Sequence, residues 1–267
     1  MTDELRGDSM GLIGLTGSSR TLAIATWVAI LGTLMVNTLS NIFPIDGNTV
    51  ADLANGPLAG VLITPANYAF IIWGVIYIGL IAYAWYQSRR KQRGQLLIQR
   101  INVCLIVACV AQMGWIYLFT LQLYWGSVVA MALILLALIA AYSELEDGQH
   151  LADGRRKRMV HGPISVYLAW ISVATVVNVA SAFYASGFKE LGLSGPVWTA
   201  IMIAVANLIA ALAIARRRDL PFALVFIWAD VAIAQRHQDM PMIWVSALIM
   251  VLVLVGLLVR RYPRKSW

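Results

Sequence analysis

Aromatic residues recur at helical spacing in two apolar runs of this sequence. Trp73 and Tyr77 are four residues apart, so a helix would place both side chains on one face. A second run repeats this pattern at spacings of three, four and four, with Tyr167, Trp170, Ala174 and Asn178. Two facing stripes of this kind, with an amide for polar contact, would form a slot for a planar ligand. The alternative is that these aromatic residues only pack helices together.

Other kinds of chemistry find little support in the sequence. It contains no Ser-His-Asp set, no His-Glu-x-x-His motif and no phosphate-cradling glycine loop. Cys104 and Cys109 lie in one apolar run on different helix faces, which does not fit a disulfide framework or a thiolate metal site. We therefore predict that the protein is not an enzyme, with no catalytic residues and no metal ligands.

The composition is that of a membrane protein. The chain is 60% hydrophobic and only 12% charged, whereas a soluble domain has about 25% charged residues. Its apolar residues come in runs that match the thickness of a bilayer. The sequence therefore predicts an all-α polytopic membrane helix bundle with about eight transmembrane helices. The predicted spans cover residues 21–40, 65–87, 101–121, 124–142, 162–184, 196–215, 220–235 and 242–259.

The basic residues fix the expected orientation. A net charge of +7 could indicate nucleic-acid binding, but the lysines and arginines stand in short blocks at the ends of apolar runs. Eight spans place all of them on one side except Lys189 and Arg236, which is the positive-inside pattern. We predict an integral protein of a bacterial plasma membrane, with both termini cytoplasmic and no nucleic-acid partner. A re-entrant seventh segment, which is short and carries Asp230, is the main alternative layout.

The second predicted span carries a recognisable motif. The stretch 64–77 resembles the second-helix signature of the translocator protein (TspO, tryptophan-rich sensory protein) family. The residues that match that signature are Pro65, Phe70, Trp73 and Tyr77, whereas Ala66 replaces its second proline and Tyr68 its first tryptophan.

Two further spans are similar to the same family. In the third span Trp115 and Phe119 match, while Gln112 stands where the family has asparagine. The fifth span matches at Tyr167, Trp170, Ala174 and Asn178, with Val166 in place of the family's proline. The resemblance covers residues 20–186 and divides the chain into a segment 1–19, a five-helix core 20–186, and three additional helices with a basic tail in 187–267.

The resemblance implies a function as well as a fold. Members of the family bind flat or rigid apolar ligands, such as tetrapyrroles and sterol-like molecules, beneath the loop between the first two helices. Residues 41–64 would be that lid, and the protein would sense or translocate its ligand. No cofactor is certain, and a porphyrin or another tetrapyrrole is the implied ligand, held by stacking because no histidine lies mid-membrane. The implied ligand-binding residues are Tyr68, Phe70, Trp73, Tyr77, Gln112, Trp115, Phe119, Tyr167, Trp170, Ala174 and Asn178.

Two other functions remain open from the sequence. The three additional helices could make the chain an accessory structural subunit of a larger membrane complex. Asp230, the one acidic residue well inside a predicted span, could instead serve a secondary transporter. The partners expected are the lipid bilayer and a hydrophobic small molecule, with a homodimer or a membrane-complex partner left open.

Overall fold

A computed structural model describes residues 19–145, 154–188 and 192–261. The predicted N-terminal segment, apart from its last residue, and the basic tail after residue 261 lie outside the described residues. So does Lys189.

Eight long helices make up the described part of the chain, which contains no strand. They confirm the predicted all-α membrane bundle. The helices are α1 (Ser19–Ile42), α2 (Ile72–Gln87), α3 (Leu96–Thr120), α4 (Tyr124–Glu144), α5 (Gly162–Ala185), α6 (Gly195–Arg217), α7 (Leu220–Arg236) and α8 (Pro241–Arg261). A 3₁₀ turn, Asn67–Ile71, leads directly into α2, and shorter helical turns occupy Ile45–Gly47, Val50–Asn55, Arg90–Arg93, Gly154–Arg156 and Lys157–His161.

The first five helices close into a ring. Contacts run from α1 to α2, from α2 to α5, from α5 to α4, from α4 to α3, and from α3 back to α1. Helices α2 and α5 pack closely at Gly79, where an added Cβ would lie 3.1 Å from the ring of Pro163. Such close approach through a small residue is a common way to pack membrane helices.

The last three helices pack against one another, and two of them, α6 and α7, contact α5 of the ring. Helices α6, α7 and α8 contact each other, and α7 contacts both α5 and the turn that precedes α2. The additional helices therefore cover one side of the five-helix ring, next to the segment that enters α2.

The helix ends define two faces of the bundle. The turn at Arg90–Arg93 and the C-terminal ends of α6 and α8 lie on one side, which we call the basic face. The segment 43–66 lies on the opposite side, which we call the lid face. Seven of the described helices are long and apolar enough to cross a membrane.

Helix α7 is the exception in length, but it also runs between the two faces. Its 17 residues give about 25 Å of helix, a little less than a bilayer core of about 30 Å. At its start Asp219 accepts a hydrogen bond from Ser165 in the first turn of α5, and at its end Arg236 reaches the segment 43–66. An unbroken helix with ends on opposite faces does not fit a re-entrant segment.

Three polar side chains buried near the basic face are linked by hydrogen bonds. Tyr83 donates to Asn102 at 2.6 Å, Asn102 donates to Gln87 at 3.2 Å, and Gln87 donates to the Ala23 carbonyl at 3.1 Å. These three hydrogen bonds join α1, α2 and α3. They satisfy amide groups that would be costly to leave unpaired in a lipid-excluded interior.

Candidate functional site

A cavity of about 50 Å³ lies inside the ring, directly beneath the segment 43–66. Its walls come from α2, α3 and α5, the three helices whose motifs indicated a site. It is lined by Val50, Ala54, Thr64, Pro65, Phe70, Trp73, Trp115, Phe119, Trp170, Val173, Ala174, Val177, Asn178 and Ser181. The rings meet edge to face, with Trp170 centred 6.1 Å from Phe70 and 6.5 Å from Trp73. This is a common arrangement of packed aromatic side chains.

Seven of the eleven residues expected at the site line this cavity. They are Phe70, Trp73, Trp115, Phe119, Trp170, Ala174 and Asn178. The sequence did not point to Val173, Val177 and Ser181 on α5, although each lies one helical turn or less from an expected residue. Whether any of these side chains binds a ligand remains a prediction.

Three of the expected residues form a separate hydrogen-bonded cluster one turn nearer the basic face. Gln112 donates to the Tyr77 hydroxyl at 3.3 Å, and Tyr167 donates to the Gln112 carbonyl. Tyr77 stacks beneath Trp73, with ring centroids 5.9 Å apart. Because these polar groups satisfy one another, the cluster supports the floor of the cavity but does not line it.

Tyr68 is the remaining expected residue, and it faces away from the cavity. Its ring packs edge to face on Trp228 of α7, with centroids 5.0 Å apart. It therefore joins the start of α2 to the additional helices.

Asn178 lines the cavity together with two other polar residues, Thr64 and Ser181, and the two ends of its side-chain amide have different partners. Its carbonyl oxygen accepts from the Trp115 indole N–H and from the Ser127 hydroxyl, both at 3.2 Å. The indole nitrogen can only donate, so it fixes which end of the amide is the oxygen. The Nδ2 group is left with no hydrogen-bond partner among the described residues, although the side chain is only 2% exposed. Buried donors are normally satisfied, so this cavity offers two N–H groups to an acceptor.

The segment 43–66, which we call the lid, is folded and well packed. A capping box starts its short helix, with Asp52 accepting from the Thr49 backbone and Thr49 accepting from the Asp52 backbone. Leu53, Leu58 and Ile63 of the lid are buried. At Gly60 the backbone lies so close to Tyr184 of α5 that an added Cβ would stand 2.4 Å from the tyrosine hydroxyl. The lid therefore closes the lid-face end of the ring over the aromatic cavity.

Helix α7 fastens this lid from outside the ring. The guanidinium of Arg236 donates to the Pro65 and Ala54 carbonyls, each at 3.3 Å. The backbone N–H of Ala66 donates to the Ala232 carbonyl at 3.1 Å. The Trp228 indole N–H donates to the Ala69 carbonyl, in the 3₁₀ turn before α2, at 3.2 Å. We call these four hydrogen bonds the α7 latch.

A comparison with known families identifies the family of this chain. A family model described as TSPO-like protein matches residues 23–260. The chain belongs to the TSPO-like protein family. This confirms the resemblance found in the second, third and fifth spans. No curated protein and no solved structure matches the chain.

The match covers the additional helices as well as the ring. It extends to residue 260, in the last turn of α8. In this TSPO-like protein the α7 latch therefore lies within the region that the family model describes.

A second, larger cleft of this TSPO-like protein lies outside the ring. It measures about 390 Å³ and separates α5 from the start of α6, below lid residues 60–62. Val176, Val179, Phe183, Trp198 and Met202 contribute to its apolar walls. We do not place the site there, because it opens between two helices whose outer surfaces are apolar, where lipid chains can fill it.

Asp230 is buried in the additional helices, apart from the aromatic cavity. Its carboxylate accepts from the Asn207 amide at 3.1 Å, and it is 3% exposed. This burial does not fit a carboxylate that is merely hydrated at the outer end of a span. Across the described residues, no group of three or more His, Cys, Asp and Glu side chains could hold a metal ion.

Proposed function

We propose that this TSPO-like membrane protein binds a flat or rigid apolar ligand in the aromatic cavity and so senses or translocates it, without a chemical step. The ligand would be a tetrapyrrole, a sterol-like molecule or one of similar shape, and it would carry at least one hydrogen-bond acceptor. Trp73, Trp115, Phe119 and Trp170 would contact its apolar faces.

The observation that supports this proposal best is the unsatisfied Asn178 amide. A cavity that only packed helices together would gain nothing from two buried N–H groups without an acceptor, since each such group costs about 1–3 kcal/mol. A ligand carbonyl or carboxylate placed between the aromatic walls would satisfy them.

The size of the cavity indicates that binding requires lid movement. Sites for drug-sized ligands measure about 300–1,000 Å³, whereas this cavity holds about 50 Å³ with the lid closed. The lid supplies Val50, Ala54 and Thr64 to the cavity, so displacing it would enlarge the space and expose it. We therefore propose the closed lid as the ligand-free state and α7 as the element that holds it.

We also propose the orientation in the membrane. The basic face would lie in the cytoplasm of a bacterial cell and the lid face outside, because lysines and arginines are retained on the cytoplasmic side. The outward faces of the helices, with residues such as Ile78 and Leu252 each 71% exposed, would contact lipid.

A porphyrin titration tests the proposed function. Protein in nanodiscs is titrated with protoporphyrin IX, and quenching of tryptophan fluorescence is followed. We expect saturable quenching that weakens about tenfold in Asn178→Leu, because one ligand hydrogen bond of about 1.4 kcal/mol is lost. Trp170→Ala should weaken it as well.

The matched control is Trp85→Ala. Trp85 is on α2 like Trp73, but it is 62% exposed on the outer surface. Its removal should lower total fluorescence and leave the midpoint of the titration unchanged. Quenching that does not saturate, or a midpoint that moves equally in all three variants, would refute binding at this cavity.

A further inference from the structure

Two buried side-chain oxygen atoms, one on α6 and one on α7, accept no hydrogen bond from the described residues. Asn207 of α6 donates from Nδ2 to Asp230 Oδ1 at 3.1 Å and to the Ile203 carbonyl at 2.9 Å. Asp230 Oδ2 and Asn207 Oδ1 are buried and have no hydrogen-bond partner among the described residues. Each of the two side chains is 3% exposed.

Among the described residues that line this space, none carries a charge that could balance a carboxylate at Asp230. The space beside these oxygens is lined by Asp230, Asn207 and apolar residues, namely Ile63, Val173, Val176, Ile203, Ala206, Phe226, Ala229 and Ile233. The charged and titratable groups on the neighbouring elements stand towards their ends. They are Asp219 just before α7 and Arg236 at its end, His161 before α5, Tyr167 and Tyr184 on α5, Arg216 and Arg217 on α6, Arg260 and Arg261 on α8, and Asp46 and Asp52 in the lid. Of these, Tyr167 is hydrogen-bonded to Gln112 inside the ring.

The size of the space limits what can occupy it. It measures about 10 Å³, which is close to the volume that a single water molecule needs. A calcium ion takes about six to eight oxygen ligands, and only two unsatisfied side-chain oxygens are present among the described lining residues. A bare carboxylate without a partner is strongly disfavoured in such an environment.

We propose that Asp230 is an intramembrane proton-binding site, whose neutral carboxyl forms a reciprocal pair with the Asn207 amide. The amide donates to Oδ1, and the proton bound on Oδ2 is donated to the Asn207 carbonyl, directly or through one water molecule. Both unsatisfied oxygens are then paired, and no net charge remains. The proton is the ligand of this site, and the apolar lining excludes metal cations.

The site lies directly under the lid. Ile63 is the one lid residue in its lining, and the other nine come from α5, α6 and α7. Loss of the proton would leave a carboxylate that needs water. Because Ile63 does not belong to a membrane helix, it is the part of the lining through which that water would enter.

Infrared spectroscopy of the full chain in nanodiscs tests the proposal. At neutral pH we expect a C=O stretching band of a protonated carboxyl group, which shifts in D₂O. The band should be absent in Asp230→Asn and unchanged in Asp239→Asn, where the exposed residue provides a matched control. Asn207→Leu removes the partner amide and should move the band to higher frequency, so the assignment does not depend on one variant.

Thermal unfolding provides the second measurement. Asparagine has the shape of a neutral carboxyl and keeps a donor for the Asn207 carbonyl, so Asp230→Asn should unfold within a few degrees of the wild type. Asp230→Leu should unfold at a clearly lower temperature. A carboxylate band of Asp230 at neutral pH without the acid band, or unfolding that sodium or potassium ions delay in the wild type but not in Asp230→Asn, would overturn the proposal.

Discussion

Replacement of Arg236 by methionine should loosen the lid while leaving the helix bundle intact. Methionine keeps an unbranched apolar stem but removes the two hydrogen bonds to the Pro65 and Ala54 carbonyls. Hydrogen bonds to charged groups contribute about 1.5–3 kcal/mol each. Both of these are 3.3 Å long, beyond the usual optimum, and Arg236 is half-buried, so we take about 1 kcal/mol for each.

A loss of about 2 kcal/mol corresponds to a roughly 30-fold larger open population of the lid. Amide hydrogen exchange reports this population when opening and closing are fast. The amides of Leu58, Val61 and Thr64 are suitable probes, because each donates a hydrogen bond within the lid. Their exchange should accelerate by about that factor in Arg236→Met and by a smaller factor in Arg236→Lys, which can still reach one carbonyl.

Arg216→Met is the matched control, since Arg216 is exposed at the basic end of α6. Exchange in the lid should be unchanged in this variant. If the lid amides of Arg236→Met exchanged at the wild-type rate, the lid would be held by its own packing and the α7 latch would contribute nothing to its closure.

Three further perturbations test the seat of the lid and the ring beneath it. Gly60→Val should destabilise the closed lid by about 1–3 kcal/mol, seen as faster lid exchange, and Tyr184→Ala should restore it by removing the clash. Burial, reinforced by the adjacent arginine, lowers the pKa of His237, which hydrogen-bonds the Leu62 backbone. The neutral imidazole therefore supports the closed lid above about pH 6.5, and this support is lost as the pH falls from there through the lower folded-state pKa. Lid exchange corrected for intrinsic rates should rise over that window in the wild type and stay flat in His237→Gln. Gly79→Val should lower the unfolding temperature, measured by scanning fluorimetry, whereas the same change at an outward-facing position of α2 should leave it unchanged.

Helical spacing predicted which residues share a face, but not how deep along the helix the cavity would lie. Trp73, Trp170 and Asn178 line it as their spacing indicated. Tyr77 and Tyr167 lie on the same stripes one turn nearer the basic face, where the helices pack closely enough for their hydroxyls to meet Gln112. The point at which helices separate depends on side chains of several elements, and a single stripe does not contain that information.

The role of α7 depended on contacts between distant parts of the chain. No local pattern links Arg236 to Ala54, which is 182 residues earlier in the sequence. One signal was present, because Arg236 is one of only two basic residues outside the blocks at the basic face. A charge that departs from the positive-inside pattern requires a reason, and here it is a hydrogen-bonding partner in the lid.

For a ligand that passes beneath the lid, the α7 latch affects arrival but not departure. If only the open form admits the ligand, the observed association rate falls in proportion to the open fraction. The bound ligand keeps the lid displaced, because the closed cavity of about 50 Å³ is too small to contain it, so the latch does not lengthen the residence time. A helix outside the ring would then weaken the apparent affinity by the same factor as the association rate, without touching the bound molecule.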